Sequence, residues 1–258
     1  MACYDAFAQC YDLFLDDVDY GGRAAYFDRI ITERVGKRGL LLDLACGTGS
    51  LSIELSRLGY EVIGADGSEQ MLCEAQRKAW DAGEKILYLH QQMEELDLYG
   101  TIDACVCALD SLNHLAGARA LEQAIGRVSL FLAPGGVFVF DMNTPYKHQK
   151  ILADHCFVYE KDQTVCVWQN KTKGLCTRIS LDFFREDKDG RYTRTEERFS
   201  ERAYSIPTIE RIVARCGLAM QAVYAADTFT APGESDERVV FVACKPDTET
   251  KGATTWEN

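Results

Sequence analysis

Short apolar segments alternate with amphipathic segments through the first 145 residues of the chain. The amphipathic segments carry apolar residues three and four positions apart, as at Leu51, Leu55 and Leu58, which predicts helices. Apolar strands that alternate with such helices indicate a parallel sheet covered on both faces, and right-handed crossovers make it doubly wound. The predicted strands are 40–45, 61–65, 86–89, 102–109 and 137–140, and the predicted helices are 51–58, 68–80 and 118–132.

The pattern changes between His155 and Arg202, where apolar and polar residues alternate with a period of two. Turn-forming residues interrupt this stretch at 173–174 and 187–190, which predicts an antiparallel sheet inserted into the α/β domain. The α/β pattern then returns, with a helix that begins near Ser205 and two more strands. The fold class is therefore α/β, a doubly wound seven-stranded Rossmann-like sheet with an inserted antiparallel β cap. The last two predicted strands are 219–226 and 238–245.

These patterns divide the chain into four predicted parts. Residues 1–36 are expected to be mostly helical with a break at Gly21-Gly22, and Ala133–Gly136 is expected to be a turn before the fifth strand. The remaining parts are a Rossmann-like domain at 37–150 and 203–246, a cap at 151–202 and a disordered tail at 247–258.

Composition narrows the possible partners. The formal net charge is −12, which argues against nucleic acid and against an anionic membrane surface. The sequence shows neither a signal-peptide pattern nor an apolar run of the ~20 residues that span a bilayer, so a cytoplasmic protein is expected. The eleven cysteines form no C-x-x-C pair, so we expect free thiols and no metal site.

Ligands of doubly wound sheets bind at the carboxyl ends of the strands, so the residues that follow each strand matter most. Gly47 and Gly49 follow the first strand, where glycine lets the backbone approach a ligand and the next helix offers free N–H groups. Asp66 ends the second strand, where an acid can accept hydrogen bonds from both hydroxyls of a ribose. Together they indicate a ligand that contains adenosine.

Two features distinguish between the adenosine ligands. A dinucleotide site has the motif G-x-G-x-x-G, and the third glycine is missing here. A pyrophosphate also disfavours neighbouring carboxylates, whereas a sulfonium and an ammonium are attracted to them. The acids after the strands therefore indicate S-adenosylmethionine, and these acids are Asp43, Asp66, Glu94 and Asp110.

Five motifs in this order resemble the class I S-adenosylmethionine-dependent methyltransferases: DLACGTG, GADGSEQML, QQMEEL, IDACVCALDSLNHL and LAPGGVFVFDMN. The N-terminal YDAFAQCYDLFLDDVDY and the predicted insert resemble a small-molecule subgroup that includes sugar N-methyltransferases. The resemblance covers most of residues 1–245 and implies an enzyme with S-adenosylmethionine as cofactor.

The resemblance also implies a role for individual residues. Asp66 and Gly67 should hold the ribose, and Gln92 and Met93 should lie along the edge of the adenine. Leu109 should offer its carbonyl to the ammonium group of the cofactor. Other expected cofactor contacts are Asp43, Ala45, Gly47 and Gly49 at the methionine part, Met71, and Tyr11 and Tyr20 closing the site from the N-terminal segment.

Some of these roles have alternatives. Met71 suits core packing as well as cofactor contact. Ala45 stands where family members often have glycine, so the backbone could differ there, and Gln92 stands where they often have aspartate. An amide oxygen can still accept a hydrogen bond from the adenine amino group.

The expected reaction is in-line transfer of a methyl group to N or O of a small-molecule acceptor, with the inserted sheet as a roof. A general base is needed only when the nucleophile arrives protonated, and the candidates are His114, Asp110 and Asp141. The alternatives are an NAD-dependent oxidoreductase and a non-catalytic partner subunit that binds the cofactor. The protein is expected to be a monomer or a homodimer.

Overall fold

The structure is a computed structural model, and it describes residues 18–247. Seven strands form one sheet in the order β10-β11-β5-β4-β1-β2-β3. Strands β1 to β5 are parallel to one another, and β11 pairs antiparallel with both β5 and β10. The strands are β1 Leu40–Leu44, β2 Glu61–Asp66, β3 Leu87–His90, β4 Ile102–Cys107, β5 Leu132–Asn143, β10 Ala219–Ala225 and β11 Arg238–Cys244.

Within residues 18–247, five α-helices cover the two faces of this sheet. Successive residues of a strand point to opposite faces, so Val139 packs with one helical layer and Phe140 with the other. This alternation explains why the strands are apolar along almost their whole length. The helices are α1 Tyr20–Val35, α2 Ser50–Arg57, α3 Glu69–Ala82, α4 Ala118–Phe131 and α5 Ile206–Arg215. The doubly wound seven-stranded fold is thus confirmed.

The N-terminal helix differs from its prediction. Gly21 and Gly22 were expected to break a helix, but they lie in the first turn of α1. The Asp19 carboxylate accepts a hydrogen bond from Gly22 N at 2.8 Å and so caps the helix. Tyr11 and nearly all of the predicted tail lie outside the described residues.

A bulge in β5 replaces the turn predicted at Ala133–Gly136. Leu132 pairs with Ile102 and Val137 with Ala104, so five steps along β5 lie opposite two steps along β4. Gly135 N donates to Lys245 O, and Lys245 N donates to Gly136 O, which satisfies the backbone of the bulge. The proline and glycines form the bulge without ending the strand.

Four antiparallel strands follow β5 and form a second sheet in the order β6-β7-β8-β9. They are β6 Cys156–Lys161, β7 Thr164–Lys173, β8 Cys176–Glu186 and β9 Tyr192–Arg202. Ile179, Leu181 and Phe183 of β8 form the centre of its small core. The predicted inserted sheet is thus confirmed, and none of the helices among residues 18–247 is long and apolar enough to cross a membrane.

Ser68 provides a test of helix capping in this fold. Its hydroxyl accepts a hydrogen bond from Met71 N, whereas Ser205 begins α5 without such a bond. We expect Ser68→Ala to lower the free energy of unfolding by about 1 kcal/mol. Ser205→Ala is the control and should cost less. Urea denaturation measures both, and equal losses would contradict the capping role.

Candidate active site

A cleft opens at the carboxyl ends of the parallel strands. It lies between the loop after β1, the segment after β4 and the start of α1. Four of its lining residues are expected cofactor contacts, namely Tyr20, Asp43, Ala45 and Leu109. The other lining residues are Cys46, Thr48, Ser50, Leu51, Ala108 and Ser111. The strand ends therefore bring together residues from two motifs and the N-terminal helix.

The loop after β1 has a left-handed backbone at three positions. Gly47 and Gly49 have φ values of 54° and 75°, and Ala45 has a φ of 59°. Ala45 thus adopts the conformation that glycine adopts most readily, and this backbone costs a non-glycine residue about 1–2 kcal/mol. A side chain on Gly49 would clash with Ala75, so that glycine lets α3 pack directly against the loop.

Asp43 lies beneath this loop with only 2% of its surface exposed. Its carboxylate accepts a hydrogen bond from the Ser52 hydroxyl at 2.5 Å. Burial raises the pKa of Asp43 to about 7, while the bond from Ser52 and the nearby Asp66 act in opposite directions. Asp43 can therefore change charge near neutral pH.

Asp66, the last residue of β2, is hydrogen-bonded to the loop that follows β1. One carboxylate oxygen accepts from Gly47 N at 2.9 Å and the other from Ser68 N at 2.8 Å. Each oxygen keeps a second lone pair, so the carboxylate can still accept hydrogen bonds from a ligand. Burial raises the pKa of Asp66, and the backbone N–H groups oppose that rise.

The residues expected near adenine lie beside Asp66. The Gln92 side chain is exposed and its Nε2 donates to Gly67 O at 3.3 Å, so the two residues are in contact. Met93 is partly buried against the core. Met71 is only 3% exposed, and its side chain packs in the interior, which favours the packing role.

The Asp141 carboxylate at the end of β5 is fully buried and accepts four hydrogen bonds. Two come from backbone N–H groups, those of Leu109 at 3.1 Å and Asp110 at 2.6 Å. Two come from guanidinium groups, those of Arg23 at 2.9 Å and Arg238 at 2.8 Å. All four of these contacts are made to the protein itself, so Asp141 serves to hold the surrounding backbone and arginines in place.

These hydrogen bonds account for the unusual backbone after β4. Leu109 and Asp110 have φ values of 56° and 54°, so two successive non-glycine residues are left-handed. Their N–H groups both point at Asp141, and this contact compensates for the strain. The carbonyl expected to bind the cofactor ammonium belongs to one of these residues, Leu109.

Asp110, His114 and Glu201 come close together beside the segment after β4. His114 Nε2 lies 3.9 Å from Asp110 and 3.7 Å from Glu201, which belongs to β9 of the insert. Burial lowers the pKa of His114. Burial raises the pKa of Glu201 to about 8, and Asp110 adds to that rise. Burial alone would raise the pKa of Asp110, but Arg238 holds it below its usual range.

The charge balance of the site differs from the sequence-based expectation. The motifs contain acids and no arginine, so an acidic site was predicted. Arg238 instead forms ion pairs with both Asp110 and Asp141, and Arg23 pairs with Asp141. Both arginines lie outside the motifs, on β11 and α1. Arginine therefore neutralises Asp110 and Asp141, whereas no arginine among the described residues pairs with Asp43 or Asp66 on the cofactor side.

Four residues of the site were missed in the sequence, namely Arg23, Arg238, Glu201 and His148. Arg23 and Arg238 carry no motif signal. Glu201 comes near the end of the last insert strand, so a rule that gathers polar residues at strand ends could have found it.

Comparison with known proteins identifies the class. A family model described as "Methyltransferase domain" matches residues 41–136. The chain is 32% identical over 248 residues to "Putative methyltransferase YqeM" of Bacillus subtilis (strain 168), which covers 95% of this chain and 98% of that protein. A crystal structure of an S-adenosylmethionine-dependent methyltransferase from Clostridium acetobutylicum ATCC 824 superposes with a TM-score of 0.86 at 30% identity, over 95% of this chain and 99% of that chain. The chain therefore belongs to the class I S-adenosylmethionine-dependent methyltransferases.

A third relative is more distant. It is the dTDP-3-amino-3,6-dideoxy-alpha-D-glucopyranose N,N-dimethyltransferase of Streptomyces fradiae, with 28% identity over 218 residues, 83% of this chain and 84% of that protein. The predicted family, its likeness to the subgroup with sugar N-methyltransferases, and the enzyme class are thus confirmed.

The role of Asp141 can be tested by removing its charge. Asp141→Asn keeps the shape but leaves two guanidinium groups, 12% and 17% exposed, without their shared carboxylate, so we expect a loss of about 3–5 kcal/mol in the free energy of unfolding. Asp97→Asn is the control, because Asp97 is 79% exposed where it pairs with Arg127, and it should change stability by less than about 0.5 kcal/mol. A similar small change for both variants in urea denaturation would show that Asp141 does not organise the site.

The raised pKa of Asp43 predicts a pH dependence of stability. The folded protein holds this proton up to about pH 7, whereas the unfolded chain releases it near pH 3.8. Stability should therefore fall as the pH rises through that window and level off above it, because the folded state binds the extra proton. Asp43→Asn should lack this contribution.

Urea denaturation of both proteins at several pH values gives the measurement. The free energy of unfolding of wild type minus that of Asp43→Asn should decrease as the pH rises, because only wild type loses stability through this group. Titrations common to both proteins cancel in this difference, and a constant difference would contradict the raised pKa.

Proposed function

We propose that this methyltransferase transfers the methyl group of S-adenosylmethionine to N or O of a small-molecule acceptor. The observation that carries the proposal is the cleft lined by Asp43 and Leu109 at the ends of β1 and β4. Asp66 is bonded to Gly47 of the loop after β1, and His114 follows Leu109 in the chain and lies beside Glu201 of the insert.

The residues on the sheet side fit the cofactor. The left-handed backbone at Ala45, Gly47 and Gly49 forms a close turn over which a ligand can lie. Asp66 would accept hydrogen bonds from the ribose hydroxyls with its remaining lone pairs. Asp43 and the Leu109 carbonyl would balance the positive charge of the methionine part. When bound, S-adenosylmethionine supplies an electrophilic methyl group on its sulfonium.

Further contacts follow from the same arrangement. Gly67, Gln92 and Met93 would lie along the adenine, and Tyr20 would close the methionine end from α1. Met71 would support α3 from below. Tyr11, outside the described residues, remains a proposed contact.

The acceptor would bind between the cleft and the inserted sheet. His114 and Asp110 are the proposed catalytic residues, since they follow β4 next to the Leu109 carbonyl. His114 is the better candidate for acceptor contact, because Asp110 is held by Arg238 and Asn143. The chain's contribution to the rate would be alignment of the acceptor atom and exclusion of water.

Two observations support a small acceptor. The net charge of −12 disfavours nucleic acid. The Streptomyces fradiae relative acts, by its name, on an amino sugar nucleotide. The protein would work as a monomer or a homodimer in the cytoplasm.

Calorimetric titration tests the cofactor site. Wild-type protein should bind S-adenosylhomocysteine and should not bind NAD. Asp66→Ala should weaken the first affinity by at least ~10-fold, because it removes charge-assisted hydrogen bonds to the ribose. Asp81→Ala, on the exposed side of α3, should bind like wild type.

The outcomes separate the alternatives. Unchanged affinity of Asp66→Ala with a normal thermal transition would remove the ribose assignment. Binding of NAD alone would indicate an oxidoreductase. Turnover of cofactor with a labelled methyl group, offered to a panel of small amines and alcohols, tests catalysis. Cofactor binding without any transfer to such acceptors would count against the proposed reaction.

A further inference from the structure

Four side chains with metal-ligating atoms meet between the cofactor cleft and the insert. They come from three separate segments: Asp110 and His114 from the turn after β4, His148 from the π-helical turn Lys147–Leu152, and Glu201 from β9. Ligand atoms of Asp110, His114 and Glu201 all lie within 4.8 Å of one another. We call these four residues the His-acid cluster.

The spacing inside the cluster is too wide for hydrogen bonds. His114 Nε2 lies 3.9 Å from Asp110 Oδ2 and 3.7 Å from Glu201 Oε1. His148 Nε2 lies 3.7 Å from the other oxygen, Glu201 Oε2. Hydrogen bonds between nitrogen and oxygen measure about 2.7–3.2 Å. The side chains therefore face each other across a gap.

Proton counting fixes the state of His148. The Thr172 hydroxyl donates its one proton to Ala153 O at 2.5 Å. The bond between the Thr172 and Thr177 hydroxyls must then use the proton of Thr177. His148 Nδ1 lies 2.9 Å from the Thr177 hydroxyl and must be the donor there. In a neutral imidazole this leaves Nε2 with a bare lone pair.

This lone pair has no hydrogen-bond partner. His148 is 0% exposed, and its Nε2 is a buried atom without a donor among the described residues. It faces the Glu201 carboxyl group at 3.7 Å, a separation too long for a hydrogen bond. Asn143 Oδ1 is a second buried acceptor that lacks a donor in the same region. A cation in the gap would satisfy this arrangement of acceptors.

We propose that the His-acid cluster binds one divalent transition-metal ion through His148 Nε2, His114 Nε2 and the carboxylates of Glu201 and Asp110. Metal bonds to imidazole and carboxylate measure about 2.0–2.2 Å, which places neighbouring ligand atoms about 3–4 Å apart. The three histidine–carboxylate separations, 3.9, 3.7 and 3.7 Å, fall in this range. Two imidazoles favour a transition metal over magnesium or calcium.

The surrounding contacts are those of a metal site. Thr177 fixes the ring of His148, as outer hydrogen bonds fix metal-bound histidines. The Asn143 amide donates to Asp110 Oδ2 at 2.8 Å and to Glu201 Oε2 at 3.4 Å, so it holds both carboxylates in place. The cysteine pattern led us to predict no metal site, and the proposal departs from that prediction with a cluster that contains no cysteine.

The site borders the cofactor cleft, which Leu109 and Ser111 line. A metal held there would meet the acceptor, and His114 would then serve as a ligand and not as a base. The inference rests on the cluster itself and not on the proposed transfer reaction. Metal affinity is accordingly measured without cofactor or acceptor.

The experiment is a titration of chelator-treated full-length protein with Mn²⁺, followed by the loss of the free-ion EPR signal. Mn²⁺ suits carboxylate ligands and has little affinity for the eleven thiols. Wild type should bind one equivalent. His148→Ala and Glu201→Gln should each bind at least ~10-fold more weakly. His155→Ala removes an exposed histidine of the same region and should bind like wild type.

A repeat with Co²⁺ and a visible absorption spectrum gives a second readout of coordination. Glu201→Gln is nearly isosteric with wild type. If His148→Ala fails to fold, Glu201→Gln alone tests whether the cluster binds metal. Absence of one-equivalent binding for both ions, or equal binding by wild type and Glu201→Gln, would overturn the proposal. Either result would leave the cofactor titrations unaffected.

Discussion

The site depends on one buried carboxylate, that of Asp141. A charged group without water needs several partners, and Asp141 obtains them from three parts of the chain that are far apart in sequence. Arg23 brings the start of α1 to the sheet, and Arg238 brings the start of β11. The N–H groups of Leu109 and Asp110 complete the set and define the backbone after β4.

A continuous polar network extends from this carboxylate to the insert. Arg238 bridges Asp141 to Asp110, and Asn143 bridges Asp110 to Glu201 of β9. Asn113, fully buried, donates to Arg202 O at 2.9 Å and so joins the segment after β4 to the same strand. Hydrogen bonds between buried groups thus attach the insert to the carboxyl ends of the strands. These bonds are directional as well as stabilising.

The parts of the molecule that could be predicted from sequence depend on local rules. Strand and helix positions follow from apolar periodicity, and the Ser68 cap follows from residue type and position. The loop at Gly47 and Gly49 follows from the need for left-handed backbone. Each of these features is set by residues close together in the sequence.

The features that were missed depend on distant partners. Nothing beside Arg238 in the sequence shows that it faces Asp110, 128 residues away. Ala133–Gly136 has the composition of a turn, but pairing with β11 through Lys245 keeps it within β5 as a bulge. Leu109 is a poor candidate for left-handed backbone until the carboxylate that holds its N–H is known. In each case a tertiary contact outweighs the local preference.

The two sides of the cleft therefore have different origins. Cofactor-side residues follow consecutive strands of one sheet, so their positions are coupled to the core and can be read as motifs. His148 and Glu201 come from the turn after β5 and from the insert. Asn143 holds Glu201, and Asn113 holds the same strand through Arg202 O. Under the proposed function, the residues that would select the acceptor thus lie where the sequence carries the weakest signal.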